Sequence, residues 1–557
     1  MMLLMKKFVP ATVLLGLMAL GACKSDPVTP TPTNDPPSGL TVASTSISTV
    51  HVSWAASTGV TGYVLQRATG AAGAFAEIAR PAAAATSHDD TGLAAGTPYR
   101  YRLAALRTAG QSNFTSEMTA TTSAITTIDV TANITANTTW TSDRIYKIVG
   151  FRKVASGATL TIQPGTKIIG DYNTLGSALF VLRGAQIIAN GTAAAPIVFT
   201  SSQPVGSRLS GDWGGLVLVG NGIDNRSGVV NIEGTGTSAD NTAIQYNGGS
   251  NNADNSGSLS YVRVEYAGFA PVVDNEFNSF TFCALGSGTT LDHLESLNGL
   301  DDAFEFFGGA ASGKYLVAYE ATDDAFDMSE GYQGRLQYII AYTSHLNVPR
   351  PLSGGNSTDP EGIENDGCGG AGCDLGFNSA PFNIPVVANF TLVGTGPGVV
   401  PTGGGYGAIL RRGTGGHYIN GIMARWPNFA IGYRDAATKQ RETDGFLSIK
   451  NILIVETPAG IFQTGQQTTD AAANNIILDG TSTTASLFTR FPTAPATAAD
   501  FDWSLSAGSP ARTGGLAAFT GDLATRAGTF VTPTSYRGAA DPAGSKWWEG
   551  WTSYSRN

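Results

Sequence analysis

Residues 293–309, HLESLNGLDDAFEFFGG, are answered at 315–334 by YLVAYEATDDAFDMSEGYQG, and this echo decides the fold. Asp301-Asp302-Ala303-Phe304-Glu305 returns as Asp323-Asp324-Ala325-Phe326-Asp327, an offset of 22 residues. Short apolar motifs recur around it: YVRV, HLES, YLVA, YIIA, FTLV, NGIM, NILI and NIIL. They begin at Tyr261, His293, Tyr315, Tyr338, Phe390, Asn420, Asn451 and Asn475, with spacings of 32, 22, 23, 52, 30, 31 and 24. The shortest spacings cluster at 22 to 24, and the longer ones are that period plus loops. Three strands of about five residues with short turns give a coil of this length. Each motif is too short and one-sided to fold alone, so stacking must bury its apolar face. The Leu/Asn spacing of leucine-rich repeats is absent, and the period excludes a propeller. The pattern predicts an all-β chain whose bulk, 127–557, is a parallel β-helix, right-handed because parallel crossovers take that path.

Composition agrees. Only 14% of residues are charged and 42% are hydrophobic, while 70 glycines supply the turns that closely spaced strands need. The net charge of −10 argues against a nucleic-acid partner and suits cation binding or solubility.

The N-terminus has the parts of an exported lipoprotein. Lys6 and Lys7 precede an apolar run, Phe8 to Leu20, too short to serve as a permanent span, and Leu20-Gly21-Ala22-Cys23 reads as a lipobox. Residues 1–22 are thus expected to be a signal peptide, with Cys23 lipidated and held in the outer membrane by its acyl chains. Residues 23–35, rich in Pro and Thr, form a tether. In such a compartment the CGGAGC loop predicts a disulfide between Cys368 and Cys373. Cys283, inside FTFCALG, reads as a buried thiol.

Between 36 and 123, STVHVSWAAS, GYVLQRA and TPYRYRLAALR alternate as strands. This segment resembles a fibronectin type III domain, with Trp54 at the core tryptophan, Tyr63 opening the next strand, and Leu93 and Tyr99 at the tyrosine corner. A spacer role follows from that resemblance. ATLTIQPGTKIIGD and GDWGGLVLVGNG resemble the opening coils of exported right-handed, pectate-lyase-like β-helix proteins. DDAFDMSEGYQG, GAILRRGTGGHYING and the terminal SYRGAADPAGSKWWEGWTSY resemble one group of them more closely, the secreted or outer-membrane β-helix lipoproteins of Bacteroidota and related Gram-negatives. That resemblance implies fold and compartment rather than activity. Trp547, Trp548 and Trp551 are expected to cap the last coil, whose edges would otherwise be open.

The repeated acidic step carries the chemistry. One coil separates its copies, so equivalent carboxylates lie about 4.8 Å apart and repel by about 3.5 kcal/mol at an effective dielectric near 20. Asp301, Asp302, Glu305, Asp323, Asp324 and Asp327 must therefore diverge, share protons, meet arginines or hold a cation. Calcium suits such oxygen-only ligands and is available outside the cell. Candidate partners are Asp274 and Glu276 in the preceding coil, Glu364 and Asp366 in an expected loop insertion at 346–385, and Arg411 and Arg412 from a later coil. Turn capping and salt bridging would use the same residues without a ligand.

Two functions remain open. A non-catalytic surface protein for adhesion or capture, binding a polysaccharide or another surface protein, needs no further signature. A lyase or hydrolase acting on acidic glycans would use Asp302, Asp324 and His345, a ladder similar to polygalacturonase sites, or Arg411 or Arg412 as a lyase base. No Gly-His-Gly surrounds His345, which departs from that hydrolase pattern. GTGG at 413–416 lacks the Lys and Ser/Thr of a phosphate loop, and spacing alone identifies no Ser-His-Asp constellation.

Overall fold

The computed structural model describes residues 34–272, 275–399, 403–463, 467, 469–492 and 494–555. The expected signal peptide, Cys23, most of the tether and Asp274 lie outside the described residues. The chain divides into two compact units, at Ile125 and Thr126.

The first unit is a β-sandwich. Thr41–Ser44, Thr49–Ser53 and Ser87–Thr91 form one antiparallel sheet, and Gly62–Thr69 pairs with Pro98–Arg107 at the centre of the other. Trp54 meets Tyr63 at 5.3 Å in the core. The Tyr99 hydroxyl accepts a hydrogen bond from the Ala94 N–H at 2.9 Å, tying the corner to its strand. Buried Asp90 accepts from Arg67 at 2.8 Å and Tyr101 at 2.9 Å, so its charge is compensated.

The second unit is a parallel β-helix. A seventeen-stranded sheet runs its length, and nine short strands stack into a second sheet. One coil reads Thr290–Leu297, a bend, Phe304–Phe307, a turn, and then Ser312–Tyr319. Thr290 pairs with Ser312 and Phe304 with Phe326, both 22 residues on. Equivalent side chains stack on themselves: the rings of Phe280, Phe304 and Phe326 lie 4.9 and 5.3 Å apart and nearly parallel in the interior.

Seven of the eight motif-opening residues are corners of the coils, and in the remaining motif the corner is Asn389, just before Phe390. Tyr261, His293, Tyr315 and Tyr338 take φ of 50, 51, 61 and 62°, and Asn389, Asn420, Asn451 and Asn475 continue the series. A left-handed tyrosine costs about 1–2 kcal/mol. Here ring stacking offsets the cost, with centroids at 4.3, 4.4 and 5.3 Å along the four aromatic corners. Asparagine tolerates the conformation by itself, and Asn389 adds a 2.8 Å hydrogen bond to the Thr534 hydroxyl.

Two expectations change. The segment 346–385 contains the strand Ile363–Asp366, paired with both Phe326–Ser329 and Ala408–Arg411, so it is a coil with long turns rather than a plain loop insertion. Trp547, Trp548 and Trp551 do not cap the last coil, where Ile477 and Leu478 stay 41% and 43% exposed. The chain instead returns along the side of the helix. Trp551 packs against Tyr261 and His293 at 5.7 and 5.6 Å, and Trp547 against Tyr315 at 5.2 Å. The reason is the outward face of the long sheet: Leu297, Tyr319, Ile340 and Tyr342 are apolar there and need a cover. Among the described residues no helix is long and apolar enough to cross a membrane.

Candidate metal centre

The second sheet turns a different face outward. Phe304, Phe326 and Ile363 point into the core, so the next residue on each strand points out: Glu305, Asp327 and Glu364, in direct register. The turns before these strands add Asp301, Asp302, Asp323, Asp324, Asp359 and Glu361. A cavity of about 260 Å³ results, lined by twelve carboxylates against three arginines, Arg226, Arg411 and Arg412.

The two acids of each doublet have different jobs. Asp302 accepts the Asp324 N–H at 2.9 Å, and Asp324 accepts the Glu361 N–H at 2.6 Å. Asn278 begins this ladder by accepting the Asp302 N–H at 3.1 Å. Asp302 and Asp324 therefore staple consecutive turns, while also lining the cavity. Asp301 and Asp323 make no such bond and, with Asp327, form no ion pair among the described residues.

The rim is paired. Arg411 donates to Asp366 at 2.7 Å and also to Glu364, and Arg412 donates to Asp366 at 2.6 Å. Arg434 forks onto Asp359 at 2.5 and 2.9 Å, and Arg226 holds Glu330 at 2.6 Å. Three oxygens are left over. Asp323 Oδ1, Asp327 Oδ1 and Glu361 Oε2 are buried without a hydrogen-bond partner, which costs about 1–3 kcal/mol each, more for a charged group.

Burial and like charge push these acids towards the protonated form. Loss of solvation, then the neighbouring carboxylates, raise Asp301, Asp302, Glu305, Asp324, Asp327, Glu361 and Glu364 well above the usual carboxylate range. Burial first and Asp359 next push Asp323 up to about 7. Asp359, gripped by Arg434, goes the other way. Burial opposes the Arg411 cation, but Asp366 and Glu364 outweigh it and hold it above its ordinary range, which disqualifies it as a base.

Donor atoms for a cation are grouped closely. One carboxylate oxygen each from Asp301, Asp302 and Asp323 lie within 4.8 Å of one another, as do sets from Asp302, Asp324 and Asp327, from Asp323, Asp324 and Glu361, and from Asp359, Glu361 and Glu364. Hard oxygen donors, crowded and largely buried, fit calcium better than any softer ion.

Of the sequence-derived candidates, Glu276 and the four rim residues Glu364, Asp366, Arg411 and Arg412 line this cavity with the six acids of the repeat. His345 does not. It lines a separate cavity of about 130 Å³ beside Arg208 and Tyr266, and its Nδ1 lies 3.2 Å from buried Glu320. The ladder Asp302, Asp324, His345 is not a site, because the acids precede the second sheet and His345 follows a strand of the long sheet. Cys368 and Cys373 form a disulfide, closing the loop that brings Gly369 to the cavity. Sequence reasoning missed Glu233, Glu330, Asp359, Glu361 and Arg226. A signal for Glu361 existed: Pro360-Glu-Gly-Ile-Glu364 is the acidic step once more, 37 residues after Asp323-Asp-Ala-Phe-Asp327.

Comparison with known proteins divides the chain in the same way. Residues 35–122 match the fibronectin type III domain model. Among solved structures, an Fn3-like protein from Clostridium thermocellum is 28% identical over 16% of this chain and 92% of its own, with a TM-score of 0.15. The fn3 domain of human collagen alpha-1(XX) chain is 27% identical over 17% and 92%, with a TM-score of 0.16. No curated protein matches the chain. Residues 132–497, most of the chain, match the model described as a pectate-lyase-like beta helix domain. The chain therefore belongs to the pectate-lyase-like β-helix family and carries a fibronectin type III domain in front of it.

Proposed function

We propose that this is a lipid-anchored surface protein of the Gram-negative outer membrane whose acidic cavity loads calcium and uses it to bind an acidic glycan or an acidic surface partner. The observation that carries the reading is the trio of buried, unpartnered oxygens of Asp323, Asp327 and Glu361. They fall in two overlapping donor sets, Asp323 and Glu361 with Asp324, and Asp327 with Asp302 and Asp324. Divalent cations there lower the repulsion among the carboxylates and leave coordination positions for a uronate or other carboxylate. Arg411 and Arg412 then serve as fixed positive groups beside the bound anion. The fibronectin type III domain acts as a spacer and Cys23 as the point of lipid attachment.

Binding is favoured over cleavage at this cavity. Arg411 is held charged by two carboxylates, and His345 lies elsewhere. A glycan lyase or hydrolase is the second reading, supported by carboxyl groups kept protonated near neutral pH, the state a general acid requires.

One experiment uses the full chain recovered from membranes after growth with a palmitate analogue. The label should be present in the wild type and lost in Cys23→Ser. Calcium should bind to the wild-type protein in calorimetry, and Asp323→Asn/Asp327→Asn should weaken it at least tenfold. Equal calcium binding by the double variant would sink the metal-centre reading, and release of unsaturated or reducing sugar from uronate polymers would replace it with the enzyme.

A further inference from the structure

We propose that Ser448, His417 and Asp522 form a second site, a nucleophilic centre for hydrolysis of carboxylic esters. His417 and Ser448 are register partners on adjacent coils, in the strands Gly416–Ile419 and Leu447–Lys450. Their side chains point outward, away from the core that takes Tyr418, Leu447 and Ile449. The Ser448 hydroxyl lies 2.7 Å from His417 Nδ1. On the far side of the ring, Nε2 lies 3.0 Å from the Asp522 carboxylate, which the returning C-terminal segment supplies. Arg526 fixes that carboxylate with a 2.6 Å bond.

The hydrogen-bond roles follow from the chemistry. Asp522 is held ionised by its partners His417 and Arg526 against the effect of burial, so it only accepts. Nε2 must then carry the ring proton, which leaves Nδ1 as the acceptor of the serine O–H. Burial keeps the ring below its ordinary pKa and hence neutral, the state of a general base at neutral pH. His417 is almost fully buried, while Ser448 keeps partial access to a cavity of about 450 Å³. Lys450, two residues on and on the same face, lines that cavity, and its charge is felt at His417.

Each step balances. Ser448 Oγ bonds to the ester carbonyl carbon as its proton passes to Nδ1, giving an imidazolium against Asp522 and an oxyanion near the Lys450 ammonium. The carbon–alkoxy bond breaks, and the alkoxide leaves with the proton from Nδ1. Water then attacks the acyl-serine, giving its proton to Nδ1, and the carboxylic acid departs as Ser448 recovers its proton. The cavity suits a short acyl chain on a polar alcohol. Leu516 and Leu523 of the returning segment line it, and Glu442, Asp470 and Asn474 of the last coils supply polar groups. Ser448 and His417 are the catalytic residues, and Asp522 is a positioning residue.

The test uses the full chain with a fluorophosphonate probe and with p-nitrophenyl acetate. The expected result is a single adduct that peptide mass spectrometry places on Ser448, and ester hydrolysis that falls on the order of 100-fold or more in Ser448→Ala. Asp522→Asn should lower kcat with little change in KM and should move the acidic limb of the pH–rate profile, which a purely structural contact would not do. Ser448→Ala removes only a partly exposed hydroxyl, and an unchanged melting curve shows that it folds. No adduct on Ser448, or hydrolysis that survives in Ser448→Ala, would overturn the proposal.

Discussion

The outward faces of the two sheets belong to the same solenoid, share its period, and are treated in opposite ways. On the long sheet the outward residues are Leu297, Tyr319 and Tyr342, and the C-terminal segment is spent covering them with Trp548, Trp551 and Tyr554. On the middle coils of the second sheet they are Glu305, Asp327 and Glu364, facing a cavity ringed by arginines, whereas on its earlier coils Phe180, Val217 and Val219 are apolar and covered by Ile232, Tyr246 and Phe277. A β-helix coil fixes three stacked strands and leaves the outward positions free. Along these middle coils an apolar cover lies on one side and the acidic cavity on the other, and the same alternation that buries Phe304 presents Glu305.

The largest expected effect breaks the covered side. Trp551→Ala removes a ring 1% exposed, packed against two corner residues. It should lose about 3–5 kcal/mol of stability, read as a shifted denaturation midpoint with calcium binding intact. A loss of calcium binding instead would show that the two faces are coupled. A smaller effect is expected on the acidic side. Arg411→Gln leaves Glu364 and Asp366 with less compensation and should lose about 3 kcal/mol without calcium. Calcium should restore a good part of it, and an equal loss with and without the ion would remove the link between rim and centre.

The smallest effect is a pH dependence, and its sign separates the two sides. Asp323 titrates near 3.8 when unfolded and at about 7 when folded. The folded state thus binds the extra proton between those values. Its contribution is fully present below the unfolded pKa and is lost as pH rises through about 7. With a chelator, the melting temperature of wild type relative to Asp323→Asn should fall by a few degrees from pH 4 to 7, and calcium should flatten the fall. A difference that rises with pH would mean that a cation, not a proton, compensates Asp323 in the free protein.

Much of this was legible in residue order. The 22-residue echo of the DDAF step is the register in which Phe304 meets Phe326. The motif-opening aromatics and asparagines mark the left-handed corners, although their conformation was not foreseen. The division of labour within each doublet was not legible. Asp301 and Asp302 are the same residue type, and only the turn decides that Asp302 reaches the next coil's N–H while Asp301 faces the cavity. Glu361 was obscured because Pro360 and Gly362 replace the expected residues of its step, and His345 was misleading because a spacing of 22 carries no information about which side of the coil is reached.

Sequence alone determined the period, the parallel stacking and the fibronectin type III domain, because each rests on local alternation and on apolar residues that must be buried by a neighbour of the same kind. It also determined that carboxylates would stack at one strand spacing. Only the tertiary structure decided where the terminal tryptophans go, which acids remain unpaired, and that His417 meets Asp522, 105 residues away. Those outcomes depend on a segment folding back along the solenoid and on turns of unequal length, and neither leaves a periodic trace in the chain. The acidic face declares itself in the residue order because it repeats; the cover over the opposite face, and the cavity it helps to line, arise from contacts made once.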